Sequence, residues 1–192
     1  MRPPAYYLVN GISLFRLLSA IVLFYLIATG NAETFKWLLP LAFFTDLIDG
    51  PIARKFKVSS VGGAVLDSIA DDVTVLAGVV GIFFFKKEFL HEQSFILILL
   101  FSMFIIQIIM AIIRYGKISS YHTYLAKAAA IFQGSFMILL FLLPEPVMPL
   151  FYVAALITFL DLAEEIILVF VLKEWKTDVK GLYHVLKDKS GV

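Results

Sequence analysis

Six long stretches in which apolar residues run almost unbroken set the plan of this chain. They lie at about residues 8–28, 36–56, 61–85, 93–114, 121–143 and 147–172. Each is long enough for a helix that crosses about 30 Å of hydrocarbon, which takes about 20 residues. Short breaks of turn-forming or charged residues separate them: TGNAE at 29–33, KVSS at 57–60, KKEFLHE at 86–92, YGKISS at 115–120 and LPEPVMP at 143–149. Spans so closely spaced leave no extramembrane domain, and neither internal repeats nor low-complexity tracts interrupt them. The pattern predicts an all-α integral membrane protein, a six-transmembrane-helix bundle forming one domain over residues 1–192.

Composition strengthens that reading. Hydrophobic residues make up 61% of the chain and charged residues 16%, with a mean hydropathy of +0.93; soluble domains carry about 25% charged residues. A net charge of +1 supplies no overall field to recruit nucleic acid, so no nucleic-acid partner is expected. The absence of Cys excludes disulfides and thiolate chemistry. No cleavable signal peptide is expected, because Arg16 interrupts the first apolar run and further spans follow it.

The distribution of Lys and Arg orients the bundle. The N-terminus, the 57–60 and 115–120 turns and the C-terminal tail together hold 11 of them, whereas the opposite side holds 3, Lys36, Lys86 and Lys87. The positive side faces the cytoplasm, so both termini are expected there. Charges also stand inside the apolar stretches: Arg16, Asp46, Asp49, Asp67, Asp71, Lys127, Asp161, Glu164 and Glu165. At about 1.5 Å of rise per residue all fall in the cytoplasmic halves of their helices. A charge at bilayer depth costs about 2.5–3.5 kcal/mol on insertion scales. So many at one level predict a polar cavity open to the cytoplasmic side.

Asp46 and Asp49 share a helix face at i and i+3, and Asp67 and Asp71 share another at i and i+4. A short turn joins their two helices, so they are expected to be antiparallel neighbours whose acidic faces meet. Four carboxylates without His or Cys suit hard oxygen ligation of Mg2+ or Mn2+ rather than zinc. One or two such ions relieve the mutual repulsion, and a pair about 3.5–4 Å apart serves in-line phosphoryl displacement. Gly50, Ala53, Gly62 and Gly63 leave the backbone open beside these Asp residues, either for a flat substrate group or for close helix packing. Arg54 is placed to hold a phosphate bidentately.

The spacing D-x2-D-G-x2-A-R-x8-G-x3-D-x3-D is met by Asp46, Asp49, Gly50, Ala53, Arg54, Gly63, Asp67 and Asp71. It resembles the signature of the CDP-alcohol phosphotransferase (CDP-alcohol phosphatidyltransferase) family, with eight fixed positions over 26 residues. The resemblance implies transfer of a phosphatidyl group from CDP-diacylglycerol to an alcohol, with release of CMP. It implies that Asp46, Asp49, Asp67 and Asp71 bind metal, two ions being expected, and that Asp71 is also the general base. Gly50, Ala53, Arg54 and Gly63 would line the cytidine diphosphate site. A homodimer in the bacterial cytoplasmic membrane is implied in the same way.

A second polar group, Arg114, Lys117, His122, Thr123 and Lys127, surrounds the turn before the fifth span. Arg114, His122 and Lys127 are candidates to bind a phosphorylated acceptor such as glycerol 3-phosphate or inositol phosphate. Arg114 and Lys117 also fit the ordinary positive-inside bias, and Lys127 could instead pair with an acid of the last helix. Asp161, Glu164 and Glu165 could fix Lys127 or Arg16, or bind acceptor hydroxyls. Arg16 stands in NGISLFR, similar to the N-x-(L/I)-(S/T)-x-x-R start of many bacterial members of the family; it is a candidate acceptor contact or half of an internal ion pair. The Lys-rich element of typical phosphatidylglycerophosphate synthases is replaced by SYHTYLAK, and the Arg-rich loop of phosphatidylinositol phosphate synthases is absent, so the acceptor stays open between a phosphorylated polyol and an unphosphorylated alcohol. Two rival classes fit less well. An intramembrane prenyltransferase is expected to have more spans, and an Asp-lined cation transporter to show internal repeats and a midplane site.

Overall fold

The computed structural model describes residues 4–56, 61–117, 121, 123–176 and 179–190; within these, side chains are described except at 4–5, 46–55, 61–62, 64–65, 68 and 188–190. The described chain is helical without strands. Its helices are α1 (Pro4–Ala28), α2 (Ala32–Phe56), α3 (Val61–Phe85), α4 (Lys87–Glu92), α5 (Ser94–Tyr115), α6 (Tyr124–Leu142), α7 (Met148–Val171) and α8 (Leu182–Ser190). The six long ones coincide with the six apolar stretches. Among the described residues, three are long and apolar enough to cross a membrane: α1 over Tyr6–Ala28, α5 and α6. The other long helices are the ones that carry the carboxylates, Asp46 and Asp49 in α2, Asp67, Asp71 and Asp72 in α3, and Asp161, Glu164 and Glu165 in α7.

Two units are distinguishable, residues 1–90 and 91–192. In the first, α1 is the middle helix and packs along both α2 and α3. The contacts described between α2 and α3 are fewer than those either makes with α1; whether their acidic faces meet turns on Asp46 and Asp49, whose side chains lie outside the described residues. The turn from α1 into α2 follows from its residues. Gly30 takes φ 70°, and the N–H groups of Gly30 and Asn31 close back on the carbonyls of Ile27 and Leu26, the pairing that ends many helices at a left-handed glycine. Asn31 then caps α2, its Oδ1 accepting from the Thr34 N–H at 3.1 Å.

The face that α3 turns inward is unusually slim. Ala70, Thr74 and Ala77 recur at i, i+4 and i+7 and are buried, with the Thr74 hydroxyl donating to the Ala70 carbonyl at 2.7 Å. Small side chains let a neighbouring backbone approach closely, which is how helices associate where lipid is as apolar as Leu. On α1 the buried positions change character along the helix, from Ser13, Arg16 and Ser19 to Leu23, Leu26 and Ile27. Contacts that ascend together, Ser13 with Asp67 and Arg16 with Asp71, make α1 and α3 parallel. The Phe35 and Phe85 rings, 5.2 Å apart, join the start of α2 to the end of α3 and make that pair antiparallel.

In the second unit α7 is the middle helix, packed on α5 and on α6. The hydroxyl of Tyr115 lies 2.9 Å from the carbonyls of both Val169 and Leu172, so α5 and α7 end together. Gln133 donates to Thr158 at 2.6 Å and Phe136 packs on Phe151, so α6 runs the other way. The outer surface of α5 is bare of partners within the unit: Phe95 is 79% exposed and Ile113 80%. A bilayer is the solvent that suits such a surface. The chain's tail folds back onto the same unit, with Val179 buried beside Tyr121, Leu168 and Leu172. Replacing Ala70 by Leu, which adds three carbons to the slim face of α3, should destabilise the protein by about 1–3 kcal/mol. Thermal unfolding in detergent micelles measures it, and the exposed Ile69→Leu is the control expected to change little.

Candidate functional site

The polar half of α1 and the first half of α3 build the described part of the site. Arg16 is 1% exposed, and its guanidinium reaches two carboxylates at once. Nη2 donates to Asp67 Oδ1 at 2.6 Å, and Nη1 donates to Asp71 Oδ1. Ser13, one turn before Arg16 on the same face, donates its hydroxyl to Asp67 Oδ1 at 3.0 Å. Because Asp67 and Asp71 are one helical turn apart, a single fork on a parallel helix can span them. Both carboxylates are more than a third exposed, at 37% and 38%, so the pair faces outward over a buried cation.

The motif's remaining residues divide between what is described and what is not. Asp46, Asp49, Gly50, Ala53 and Arg54 lie in α2, and their side chains fall outside the described residues. Gly63 lies in the first turn of α3, four residues before Asp67. Among the described residues no three His, Asp or Glu side chains gather as a metal site. Asp67 and Asp71 do suit a divalent cation in kind and placement: they are hard oxygen donors, and one positive group already bridges them.

The residues proposed from sequence for the acceptor lie elsewhere in the chain, apart from Arg16. Arg114 donates to the carbonyls of Phe170 and Leu172 at 3.3 and 3.2 Å, meeting carbonyls that the end of α7 leaves without helical partners. Lys127 is exposed, with its Nζ 5.9 Å from the Tyr124 ring centre. His122 lies outside the described residues. Asp161, buried in α7, accepts from the Thr123 hydroxyl at 3.3 Å. Thr123 also caps α6, its hydroxyl oxygen accepting from the Ala126 N–H at 3.0 Å. Glu164 accepts from the Leu182 N–H at 2.8 Å, at the start of α8.

Two of these partnerships are new relative to the sequence pattern. Ser13 carries a signal, its i−3 spacing to Arg16, that places it on the same helix face. Thr123 with Asp161 carries none, because 38 residues separate them. Thr123→Ala removes both a helix cap and the donor to a buried carboxylate and should cost about 1–3 kcal/mol, whereas Thr123→Ser should retain most of that stability. Equilibrium unfolding of the two variants in micelles checks the difference.

Comparison with known proteins sets this geometry in context. The family model described as CDP-alcohol phosphatidyltransferase matches residues 6–172. A CDP-diacylglycerol–glycerol-3-phosphate 3-phosphatidyltransferase of Aquifex aeolicus is 35% identical over 91 residues, 47% of this chain and 51% of that protein. A cardiolipin synthase (CMP-forming)/mitochondrial hydrolase fusion protein of Schizosaccharomyces pombe is 41% identical over 71 residues, 37% of this chain and 12% of that protein. A phosphatidylcholine synthase of Brucella melitensis is 51% identical over 49 residues, 23% of this chain and 18% of that protein. The matches thus span about half the length of the Aquifex protein and less than a fifth of the other two. No solved structure matches.

Proposed function

The chain belongs to the CDP-alcohol phosphatidyltransferase family, and from that premise we propose that it is an integral membrane enzyme transferring a phosphatidyl group from CDP-diacylglycerol to an alcohol. The observation that carries the proposal is the bridging of Asp67 and Asp71 by one buried cation inside an intact family motif. Helices α1, α2, α3, α5, α6 and α7 are read as six crossings forming one membrane domain over 1–192. The termini and the polar cavity face the cytoplasm, in a bacterial cytoplasmic membrane. Two copies form a homodimer; crosslinking in bilayers should trap it, and recovery of monomer alone overturns it.

In this reading Asp46, Asp49, Asp67 and Asp71 hold Mg2+ or Mn2+. The bound cation offsets charge on the diphosphate and on the departing CMP. Gly50, Ala53 and Gly63 let the cytidine diphosphate approach the backbone, and Arg54 holds a phosphate oxygen pair. Asp71 takes the proton of the acceptor hydroxyl as its oxygen bonds to the β-phosphorus. The bond from that phosphorus to CMP breaks, and CMP leaves with the electron pair.

The acceptor we propose is a phosphorylated polyol, glycerol 3-phosphate first. Support comes from the Aquifex relative, whose name gives that acceptor, and from the basic residues Arg114 and Lys127. His122 is the further candidate for its contacts, whereas Arg16, the fourth candidate from the sequence, is engaged by Asp67 and Asp71. The names of the other relatives leave room for a different alcohol, and inositol phosphate is the next to test. CMP release from purified protein, CDP-diacylglycerol and Mg2+ should depend on one acceptor, cease with EDTA, and fall at least about a thousandfold in Asp71→Asn. Retained turnover in Asp71→Asn removes it as the base, and silence with every acceptor overturns the reaction.

A further inference from the structure

Among the described residues Arg16 is the side chain that bridges two carboxylates of the family motif. It is buried to 1%, whereas Asp67 and Asp71 are more than a third exposed. Among the described contacts, its two terminal nitrogens go to different carboxylates, one Oδ1 each. The fork is therefore a bridge between residues a helical turn apart. Asp67 Oδ1 accepts a further hydrogen bond from Ser13. A divalent cation drawn to the same oxygens, at the roughly 2.0–2.1 Å that Mg2+ demands, meets a guanidinium already seated on them and of the same sign.

We propose that Arg16 is the resident counter-ion of the Asp67–Asp71 pair, holding it together without metal and competing with the divalent cation for it. This rests on the reading of Asp67 and Asp71 as metal ligands. In this role Arg16 neither touches the acceptor nor takes part in the transfer; it is a positioning residue that sets how tightly metal is held. The apolar lower half of α1, Leu23, Leu26 and Ile27, keeps the helix docked, so the guanidinium can give up the carboxylates without loss of the α1–α3 packing. Antagonism between two ligands of one site is reciprocal: metal loosens Arg16 by the same factor by which Arg16 loosens metal.

The test compares wild type with Arg16→Gln by Mn2+ titration calorimetry and by thermal unfolding in the metal-free and Mn2+-saturated states, all in the same micelles. The Gln variant should bind Mn2+ at least about fivefold more tightly. It should also be less stable than wild type without metal, with most of that deficit removed at saturating Mn2+. Arg16→Lys keeps a cation but replaces the two-nitrogen fork by a single ammonium, so a smaller tightening is expected, and it serves if the Gln variant is not recovered folded. Affinity unchanged or weakened in both variants, or a stability deficit equal with and without Mn2+, overturns the competition while leaving the metal reading intact. No Mn2+ binding by wild type or either variant overturns both together.

Discussion

A carboxylate on an apolar helix has to find a positive partner, and for the first half of α3 the partner comes from α1. Arg16 sits buried against Asp67 and Asp71, which remain more than a third exposed. Much of the first unit is arranged around that requirement. The buried line of Ala70, Thr74 and Ala77 brings the α1 backbone close enough for the guanidinium to reach, and the glycine turn at Gly30 returns α2 along the same helix. The apolar lower half of α1 fixes the register in which Ser13 meets Asp67 and Arg16 meets Asp71.

The second unit solves a different problem with similar means. Its middle helix, α7, carries three carboxylates, and two of them are taken up by local structure: Asp161 by the residue that caps α6, Glu164 by the first N–H of α8. Gly181, with φ 145°, stands where a Cβ would come within 3.1 Å of Glu164 Oε1, so the approach of the tail depends on a missing side chain. Arg114 and Tyr115 close the carbonyl end of α7. Polar residues that sequence alone offers to a substrate are here also the fastenings of a helix end.

The long helices were legible in the sequence because uninterrupted apolar runs have few alternatives, and their ends fell within a few residues of the turn signals. Two short helices were not. KEFLHE reads as a charged break until Phe89 is buried, and the apolar residues of α8 acquire a meaning only once Val179 and Leu182 are seen against Tyr121 and Leu168. The motif of eight residues pointed to the family without coordinates, since its spacing is a property of the chain. The partner of Arg16 was beyond that kind of reading. Acids in three different helices stood at the right depth, and that those of α3 are among its partners follows from how α1 and α3 pack. The same holds for Arg114, whose charge suits a phosphate equally well before the carbonyls of Phe170 and Leu172 are found beside it.

The separation of Arg16 from Asp71 along the chain, 55 residues, has a consequence for how the protein is made. Synthesis proceeds from the N-terminus at about 5–20 residues per second, so α1 emerges about 3–11 seconds before its carboxylates do. During that interval the guanidinium lacks the two α3 carboxylates that meet it in the folded protein. The contact that ties α1 to α3 therefore closes only after α2 and the first half of α3 have been made.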